Sequence, residues 1–430
     1  MSIALNGWHH GEQSIHDRVG TSDIVSSSYL WIENSMPEQH RQFYAKNVCF
    51  IPLTTVDEHG LPWASLVTSK DDQSKFMSSP SETQLIINLT LLPGDPINRN
   101  LDLFDVCRKG AHGQGINQQN ILVAGLGIEF HTRRRNKFAG FISHIEKHED
   151  LSRTLFLRVN QAIGNCPKYI NARSLDMYSE TNPWVSYKRL DLNPEERIPD
   201  DLIKFINRAD TVFIGTVFNS DEANRVRYPP HLGMNIRGGR PGFIRVVPSD
   251  GRTVVLPDYS GNRLLTTLGN IEASSLAALT FLDFESGDIL YLSGTAKNLV
   301  GQDALKLMPR QNVLTTIHIE ACIFVQDVFP IRQHPGSVVE KSPYCPPIRL
   351  LSEELDQSGR LLDNVSLTLT GIEIHSPSLA TFHFESSSAI SILPGQAAVL
   401  DFTRLFGKQQ YAHMAPGREA SLNDDRPDNA

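Results

Sequence analysis

The sequence has few of the residues that cross-link small secreted proteins. Its 430 residues include five cysteines and four tryptophans. The cysteines are widely spaced and form no CxxC pair, which argues against a disulfide-dense secreted scaffold and favours reduced thiols. No apolar run reaches the ~20 residues that span a bilayer, and the first residues lack the pattern of a secretory signal. We therefore expect a cytoplasmic protein with no membrane partner.

The chain also lacks a long basic run, and its net charge is −8. This charge argues against a general nucleic-acid binder. Hydrophobic residues make up 40% and charged residues 20% of the sequence, which is sufficient for a folded core. With domains of ~150 residues, the length allows two or three domains. The 29 glycines and 25 prolines suit a turn-rich β architecture.

The stretch 237–296 contains the most informative pattern. Short apolar runs at 243–247, 253–256 and 278–284 are rich in β-branched and aromatic residues and predict strands. Turn signals at 250–251 and 286–288 follow two of them, and residues 264–271 predict one short helix. Strands, turns and one helix in this order are typical of a small, closed or half-closed antiparallel barrel.

Arginines cluster around the first strand and before the helix. Arg240 and Arg245 lie five positions apart, and Arg263 follows Asn262 where the loop meets the helix. Guanidinium groups beside the free N–H groups of a helix N-terminus make a good phosphate site. The alternative is that these arginines are solvated on the rim of the barrel.

This stretch resembles the pyridoxamine 5'-phosphate oxidase-like FMN-binding split barrel. In that family an Arg followed, after four residues, by a Lys holds the FMN phosphate, and Arg240 and Arg245 stand at that spacing. The segment 258–263 resembles the turn that follows, although Asn262 stands where a Ser is usual. Together with 164–170, these segments are similar to a tandem subgroup of flavin-nucleotide-binding proteins, over roughly residues 5–330.

The resemblance implies an FMN-binding oxidoreductase that uses a small-molecule substrate or an external electron donor. It implies no particular catalytic residue. The alternative is a split barrel that stores or senses flavin or haem without catalysis. The implied cofactor-binding residues are Arg240, Arg245, Asn262 and Arg263 for the phosphate, with Trp63, Ser65 and Lys168 on the ring side.

Residues recur along the chain at similar spacing, which predicts a tandem duplication. An alignment of the two predicted copies sets 60–62 against 239–241. The sequence distance between matched residues varies, which the alignment explains by insertions at 69–119 and 219–236. The alignment places Leu61 and Leu66 where the other copy has Arg240 and Arg245, so we expect one flavin site. The matched pairs are Pro37 with Pro199, Phe43 with Phe205, Phe130 with Phe284, and Gly140 with Gly294.

The predicted fold class is mainly β (α+β), with two tandem split β-barrels, short helices and a partial C-terminal β-barrel. We expect a monomer with pseudo-dimeric barrels or a homodimer, with the flavin between the copies. The predicted domains are an N-terminal arm at 1–30, a first copy at 31–198, a second copy at 199–332 on the FMN phosphate side, a linker at 333–347 and a C-terminal module at 348–430.

Three smaller clusters leave alternatives open. The basic run 132–137 is either a solvated turn or a grip for an anionic substrate or pyridine-nucleotide phosphate. Cys166 beside Lys168 belongs either to a packed turn or to the wall of the groove. Neither the histidines at 9 and 10 nor those at 144 and 148 have an evident set of further ligands, so no metal site is expected.

The C-terminal part changes character. Residues 365–374, 380–385 and 396–402 predict strands, and 393–396 resembles the Pro-Gly-Gln turn of ferredoxin-reductase-type FAD-binding barrels. That family's flavin motif, an Arg followed by an aromatic residue and Ser or Thr, is not completed after Arg426. We therefore expect a truncated reductase-type module that does not bind FAD by itself.

Overall fold

The fold is mainly β, with antiparallel sheets and short helices, which confirms the predicted fold class. The structure is a computed structural model and describes residues 4–69, 75–110, 121–148, 151–358 and 365–390. Within these ranges, no helix is both long and apolar enough to cross a membrane. The helices are α1 (His10–Val19), α2 (Ser22–Val25), α3 (Glu38–Asn47), α4 (Ile97–Gly110), α5 (Asp200–Arg208), α6 (Thr266–Ser274), α7 (Gln302–Leu307) and α8 (Ser352–Ser358).

The first sheet has seven antiparallel strands. They run in the order β2-β1-β5-β6-β7-β4-β3, so α4 connects an edge hairpin to the centre of the sheet. The strands are β1 (Ile51–Val56), β2 (Pro62–Val67), β3 (Met77–Ser81), β4 (Gln84–Thr90), β5 (Ile121–Glu129), β6 (Arg134–Lys147) and β7 (Ser152–Asn165). Two short strands follow, β8 (Leu175–Met177) and β9 (Trp184–Arg189).

The second sheet repeats this path as β11-β10-β14-β15-β16-β13-β12, with β9 added beside β16. Each strand of the first sheet therefore has a counterpart in the second, and α4 corresponds to α6. The strands are β10 (Thr211–Phe218), β11 (His231–Gly238), β12 (Arg245–Val246), β13 (Thr253–Pro257), β14 (Leu276–Leu282), β15 (Ile289–Val300) and β16 (Val313–Gln326).

One irregularity occurs at the same place in both sheets. The register of β6 against β7 shifts at Gly140, and that of β15 against β16 shifts at Gly294. A Cβ atom at Gly140 would lie 1.9 Å from the carbonyl oxygen of Arg158, and one at Gly294 would lie 2.0 Å from that of His318. Only glycine lets the two backbones approach this closely.

Strand pairing corrects part of the alignment made from sequence. The counterpart of β2 is β11, so setting residues 60–62 against 239–241 is wrong. The range 69–119 contains β3, β4 and the whole of α4, which have counterparts in the other copy, so it is not simply an insertion. Arg245 pairs with Val255 in the outer hairpin, and its counterpart is Ser78, not Leu66. The predicted strand 243–247 is limited to β12.

Three apolar clusters hold the sheets together. One lies within each sheet, and the third lies between them, where Leu66 and Leu126 of the first sheet meet Phe213 and Tyr291 of the second. Polar contacts cross the same junction. The Oγ1 atom of Thr54 donates a hydrogen bond to the carbonyl of Gly233 at 2.8 Å. The two sheets therefore share a continuous buried junction.

The N-terminal arm packs on the second sheet through α1. Gly11 lies so close to α6 that a Cβ atom there would be 2.2 Å from the carbonyl oxygen of Gly269. The ring of His9 stacks on Phe218 with centroids 3.9 Å apart, and its Nε2 atom lies 3.2 Å from Oδ1 of Asn270. Helix α1 therefore covers one side of α6.

The segment predicted as a linker is held against the barrels. It begins in β17 (Ile331–Gln333), which pairs with β8, and Glu340 forms a β-bridge with Ala172. Leu351, just before α8, is fully buried against the second sheet. Beyond it, β18 (Leu367–Ser376) and β19 (Leu379–Ser386) form a largely exposed hairpin. The predicted features at 393–402 and Arg426 lie outside the described residues.

Candidate functional site

A cleft opens where the first sheet, the second sheet and the start of α6 meet. It encloses a cavity of about 70 Å³ that opens to solvent, which is smaller than the ~300–1,000 Å³ typical of ligand pockets. Both sheets contribute to its walls. The lining residues include Arg135, Lys137, Asn165, Cys166, Lys168, Tyr169, Ile170, Asn235, Ile236, Arg237, Asp258, Tyr259, Asn262, Arg263, Leu265, Thr266 and Thr267.

The cleft is strongly cationic, although the whole chain carries a net charge of −8. Among the described residues, its lining contains five cationic side chains and one acidic side chain, Asp258. Such an excess of positive charge in a concave site attracts and retains anions. The cationic residues are Arg135, Lys137, Lys168, Arg237 and Arg263.

Strand alternation divides the basic run 132–137 between two environments. Arg135 and Lys137 are two apart on β6 and both face the cleft, because alternate side chains share a face. Arg134 points elsewhere, with its guanidinium 4.5 Å from the ring centroid of Phe43. Arg133 pairs with Glu340 at 2.8 Å. Neither a solvated turn nor an anion grip describes the whole run, since two of its four basic side chains reach the cleft and two do not.

Two of the cleft arginines have protein partners. The Arg237 guanidinium lies 3.1 Å from the carboxylate of Asp258, and burial nevertheless raises the pKa of Asp258. The Nε atom of Arg135 donates to the carbonyl of Cys166 at 2.8 Å. Burial, followed by repulsion from Arg237, lowers the pKa of Arg135 to about 10. These contacts fix the direction of both guanidinium groups.

Lys137 differs from these arginines. Among the described residues, no hydrogen-bond acceptor or acidic group within 4 Å pairs with its amine. Burial lowers the pKa of Lys137 to about 7, with further lowering from Arg135 and Arg237 and an opposing effect from Glu12. Glu12 lies behind the cleft on α1 with 1% exposure, and burial raises its pKa to about 8.

The backbone at the mouth of the cleft takes unusual conformations. Tyr169, Arg263 and Leu265 have φ values of 68°, 62° and 50°, in the left-handed region that non-glycine residues avoid. Leu265 caps α6 without a side-chain hydrogen bond, so the first N–H groups of this nine-residue helix lack a side-chain acceptor there. Strained backbone of this kind concentrates at ligand sites.

Polar side chains connect the walls. The hydroxyl of Tyr169 donates to the carbonyl of Ser260 at 2.8 Å, and its ring lies 5.3 Å from that of Tyr259. The amide of Asn262 donates to Oδ1 of Asn165 at 3.3 Å. These bonds join a turn of the second sheet to the end of β7, so both sheets position the same wall.

The structure brings only three of the predicted site residues to this cleft, namely Lys168, Asn262 and Arg263. Arg240 is exposed and donates to the carbonyl of Cys345 at 3.3 Å. Arg245 forms an ion pair with Glu354 of α8, with an Nε–Oε1 distance of 3.0 Å. Both side chains are therefore directed to the segment that follows the second sheet, and we do not retain them as phosphate ligands.

Of the remaining two predicted residues, Trp63 lines a second cavity of about 200 Å³ beside α4, and Ser65 contacts Asp95, which also lines it. Trp63 donates from Nε1 to Oδ2 of Asp57 at 3.0 Å. Ser65 donates to Asp95, which also accepts from the hydroxyl of Tyr291 at 2.9 Å. This cavity occupies, in the first sheet, the place that the cationic cleft occupies in the second.

Sequence reasoning missed several residues of the cleft, including Asn235, Arg237 and Thr267. Asn235 donates to Oγ1 of Thr267 at 3.2 Å, which ties β11 to the first turn of α6. A local signal existed only for β6, where Arg135 and Lys137 flank Asn136 in the alternation typical of a strand with one charged face. The contribution of β11 depends on its pairing and had no comparable signal.

No family model and no curated protein matches the chain. Among solved structures, HupZ from Group A Streptococcus is 19% identical, with 29% of this chain and 90% of that chain covered and a TM-score of 0.21. An F420 reductase is 12% identical, with 30% and 98% covered and a TM-score of 0.20. The inhibitor of motility MotI/DgrA of Bacillus subtilis is 8% identical, with 64% and 89% covered and a TM-score of 0.17. Scores this low support no inference about function.

Proposed function

We propose that the cleft binds FMN and that the protein is an oxidoreductase acting on a small molecule or with an external electron donor. The observation that carries this proposal is the cationic cleft at the start of α6, lined by five cations against one acid. A phosphate monoester is the type of anion that such a site favours. The flavin itself is inferred from the sequence resemblance and from the fit described next.

The phosphate end fits the residues at the helix start. Arg263, Asn262 and Lys168 would hold the phosphate oxygens, and the uncapped N–H groups of α6 would add further donors. The left-handed backbone of Arg263 is consistent with a turn shaped around a ligand. This assignment replaces Arg240 and Arg245 with residues that line the cleft.

The rest of the cleft offers surfaces for a flat ring. Tyr169, Ile170, Ile236 and Tyr259 contribute aromatic and aliphatic surface between the two sheets. The hydrogen bond from Tyr169 to Ser260 fixes one of these walls. When bound, FMN supplies the redox chemistry, while the protein orients it and limits the access of water.

The first experiment is to purify the protein, record its visible absorption spectrum and identify any released chromophore. We expect FMN at about one molecule per chain. Arg263→Ala should weaken FMN binding about 10- to 100-fold, since a charge-assisted hydrogen bond contributes roughly 1.5–3 kcal/mol. Arg263→Lys should retain part of the affinity. Arg240→Ala is the matched control, because Arg240 is exposed outside the cleft.

Three outcomes would count against the proposal. A colourless protein that does not take up added FMN contradicts flavin binding, and bound FAD contradicts the choice of FMN. Equal loss of FMN in Arg240→Ala and Arg263→Ala contradicts the assignment of the phosphate end. Bound flavin that reduced nicotinamides and other donors fail to bleach would favour the storage alternative over an oxidoreductase.

A further inference from the structure

The geometry points to a second anion subsite in the cleft, centred on Lys137, which binds a carboxylate apart from the phosphate position at Arg263. We propose that this subsite anchors a substrate that carries a carboxylate group. The binding of a carboxylate does not depend on flavin. Its role as a substrate anchor rests on the proposed function.

The second cavity provides an internal template for this subsite. There the carboxylate of Asp95 is 4% exposed and accepts three hydrogen bonds. Its donors are the hydroxyl of Ser65, the hydroxyl of Tyr291 at 2.9 Å and the backbone N–H of Ile97 at 2.9 Å. A strand of each sheet and the start of α4 therefore converge on one carboxylate.

The cationic cleft presents counterparts of these three donors. Lys137 corresponds to Tyr291, because each stands three residues before its bulge glycine. Asn235 corresponds to Ser65, and the start of α6 corresponds to that of α4. The second pair follows from strand register. Across the first sheet, Ser65 pairs with Leu53, Leu53 with Gly125, and Gly125 with Phe138. Across the second sheet, Asn235 pairs with Ile214, Ile214 with Leu279, and Leu279 with Leu292.

What the cleft lacks is a carboxylate directly before the helix, where Asp95 stands in the other cavity. Leu264 stands two residues before α6, as Asp95 stands two residues before α4, and it packs against Leu5 and Trp8. Residues 259–265 contain no acidic side chain. The position before α6 therefore carries no anion, and an amine stands where the other cavity has a phenol; both differences favour an anion from outside.

The surroundings of Lys137 single it out as the contact for this anion. Arg237 already pairs with Asp258, and Arg135 donates to the carbonyl of Cys166. Among the described residues, no acidic partner lies within 4 Å of Lys137. Arg135 and Arg237 both repel its protonated amine. A ligand carboxylate would neutralise this remaining charge.

The test uses the full-length protein with ¹³C-methylated lysines, acetate as the carboxylate probe and NMR as the readout. Lys137→Met assigns the Lys137 signal. We expect acetate to shift this signal saturably, while the signal of Lys188, an exposed lysine at the second cavity, stays unchanged. A Lys137 signal that does not respond to acetate overturns the subsite.

Two variants and one competition sharpen the result. Lys137→Met should weaken acetate binding about tenfold or more, measured in the FMN-loaded protein by the perturbation of the flavin spectrum. Leu264→Asp supplies an internal carboxylate and should abolish the acetate response, whereas Leu264→Asn should keep it. An acetate response that persists in Lys137→Met overturns the proposal even if Leu264→Asp fails to fold.

The same measurements separate this inference from the proposed function. Acetate that displaces FMN would show one shared anion site and overturn a second subsite. Loss of FMN binding in Arg263→Ala, with the acetate response of the Lys137 signal retained, supports two sites. If the protein binds no FMN but the Lys137 signal responds to acetate, the proposed function fails and the carboxylate subsite stands.

Discussion

The two cavities of this molecule occupy equivalent places in two sheets of the same topology, yet their chemistry is opposite. At α4, the carboxylate of Asp95 satisfies Ser65, Tyr291 and the helix start. At α6, the corresponding place has Lys137 and no acid at the helix start. One cavity supplies its own anion at the helix start, and the other presents donors for which the described residues supply none there.

This difference shows how a repeated fold can divide stability and binding between its copies. Buried donors that meet an internal acceptor stabilise the structure, because unsatisfied donors are costly to bury. A cluster of cations without enough acids lowers stability and is tolerated where a ligand compensates it. The second sheet is therefore the copy in which stability is reduced by cations that lack enough acidic partners.

The largest expected effect is in the cavity beside α4, where Asp95 accepts the hydrogen bonds of its buried neighbours. Asp95→Ala leaves two buried hydroxyls and a backbone N–H without their acceptor, so we expect a loss of about 3–4 kcal/mol in the free energy of unfolding. The change in the urea midpoint measures this loss. At the cationic cleft, Asn235→Ala removes the hydrogen bond of a half-buried side chain to Thr267 and should cost about 1 kcal/mol.

The pH dependence provides a control for the Asp95 variant. Burial raises the pKa of Asp95 from 3.8 to about 6, so the folded state keeps a proton that the unfolded chain releases. The contribution of Asp95 to stability is therefore largest at low pH and falls as the pH rises from about 4 to 6. Asp95→Ala should lack this fall. Equal losses for Asp95→Ala and Asn235→Ala would contradict the contrast between the cavities.

The bulge at Gly140 and Gly294 is a feature that the two sheets share, so the same substitution should affect both alike. Gly140→Ala and Gly294→Ala each place a Cβ atom within 2.0 Å of a backbone oxygen. We expect both to destabilise the fold by about 2–3 kcal/mol, and by similar amounts, since backbone must move in each case. Gly261→Ala is the control, because its Cβ would meet nothing within 4 Å. A large difference between the two bulge variants would show that the sheets tolerate strain differently.

Short-range patterns allowed much of the fold to be predicted from the sequence. The apolar runs indicated a mainly β protein, and Gly140 and Gly294 were matched because the same bulge requires glycine in both sheets. Pro37 and Pro199 were matched because each stands directly before a helix. These features depend on local backbone chemistry, which repeats when the fold repeats.

The site could be predicted only in part, because its composition depends on strand register and on distant segments. Arg245 matched a family spacing, but Glu354, more than a hundred residues later, forms an ion pair with it. Arg237 and Asn235 belong to β11, whose equivalence to β2 appears only in the pairing. Lys168 and Arg263 were found because turn chemistry and a helix start mark them locally.

The last prediction concerns Lys137 and the charge of the cleft. The unfolded chain holds the Lys137 proton up to a pKa of 10.5, whereas the folded state holds it up to about 7. Between these values the unfolded state binds more protons, so stability should rise with pH. Lys137→Met removes the charge and should raise the free energy of unfolding by about 1–3 kcal/mol at pH 7, a gain that shrinks towards pH 10.

Neighbouring charges decide how this last experiment is read. Arg135 on β6 and Arg237 on β11 oppose the protonated amine, and Glu12 on α1 favours it. Glu12 titrates in an overlapping window, because burial raises its pKa from 4.5 to about 8, so its contribution falls as pH rises through that interval. Glu12→Gln separates the two groups, and the exposed Lys188→Met should change little at any pH. If Lys137→Met destabilises the protein at pH 7, the amine has a partner within the protein. The cleft would then supply its own anion, as the cavity beside α4 does.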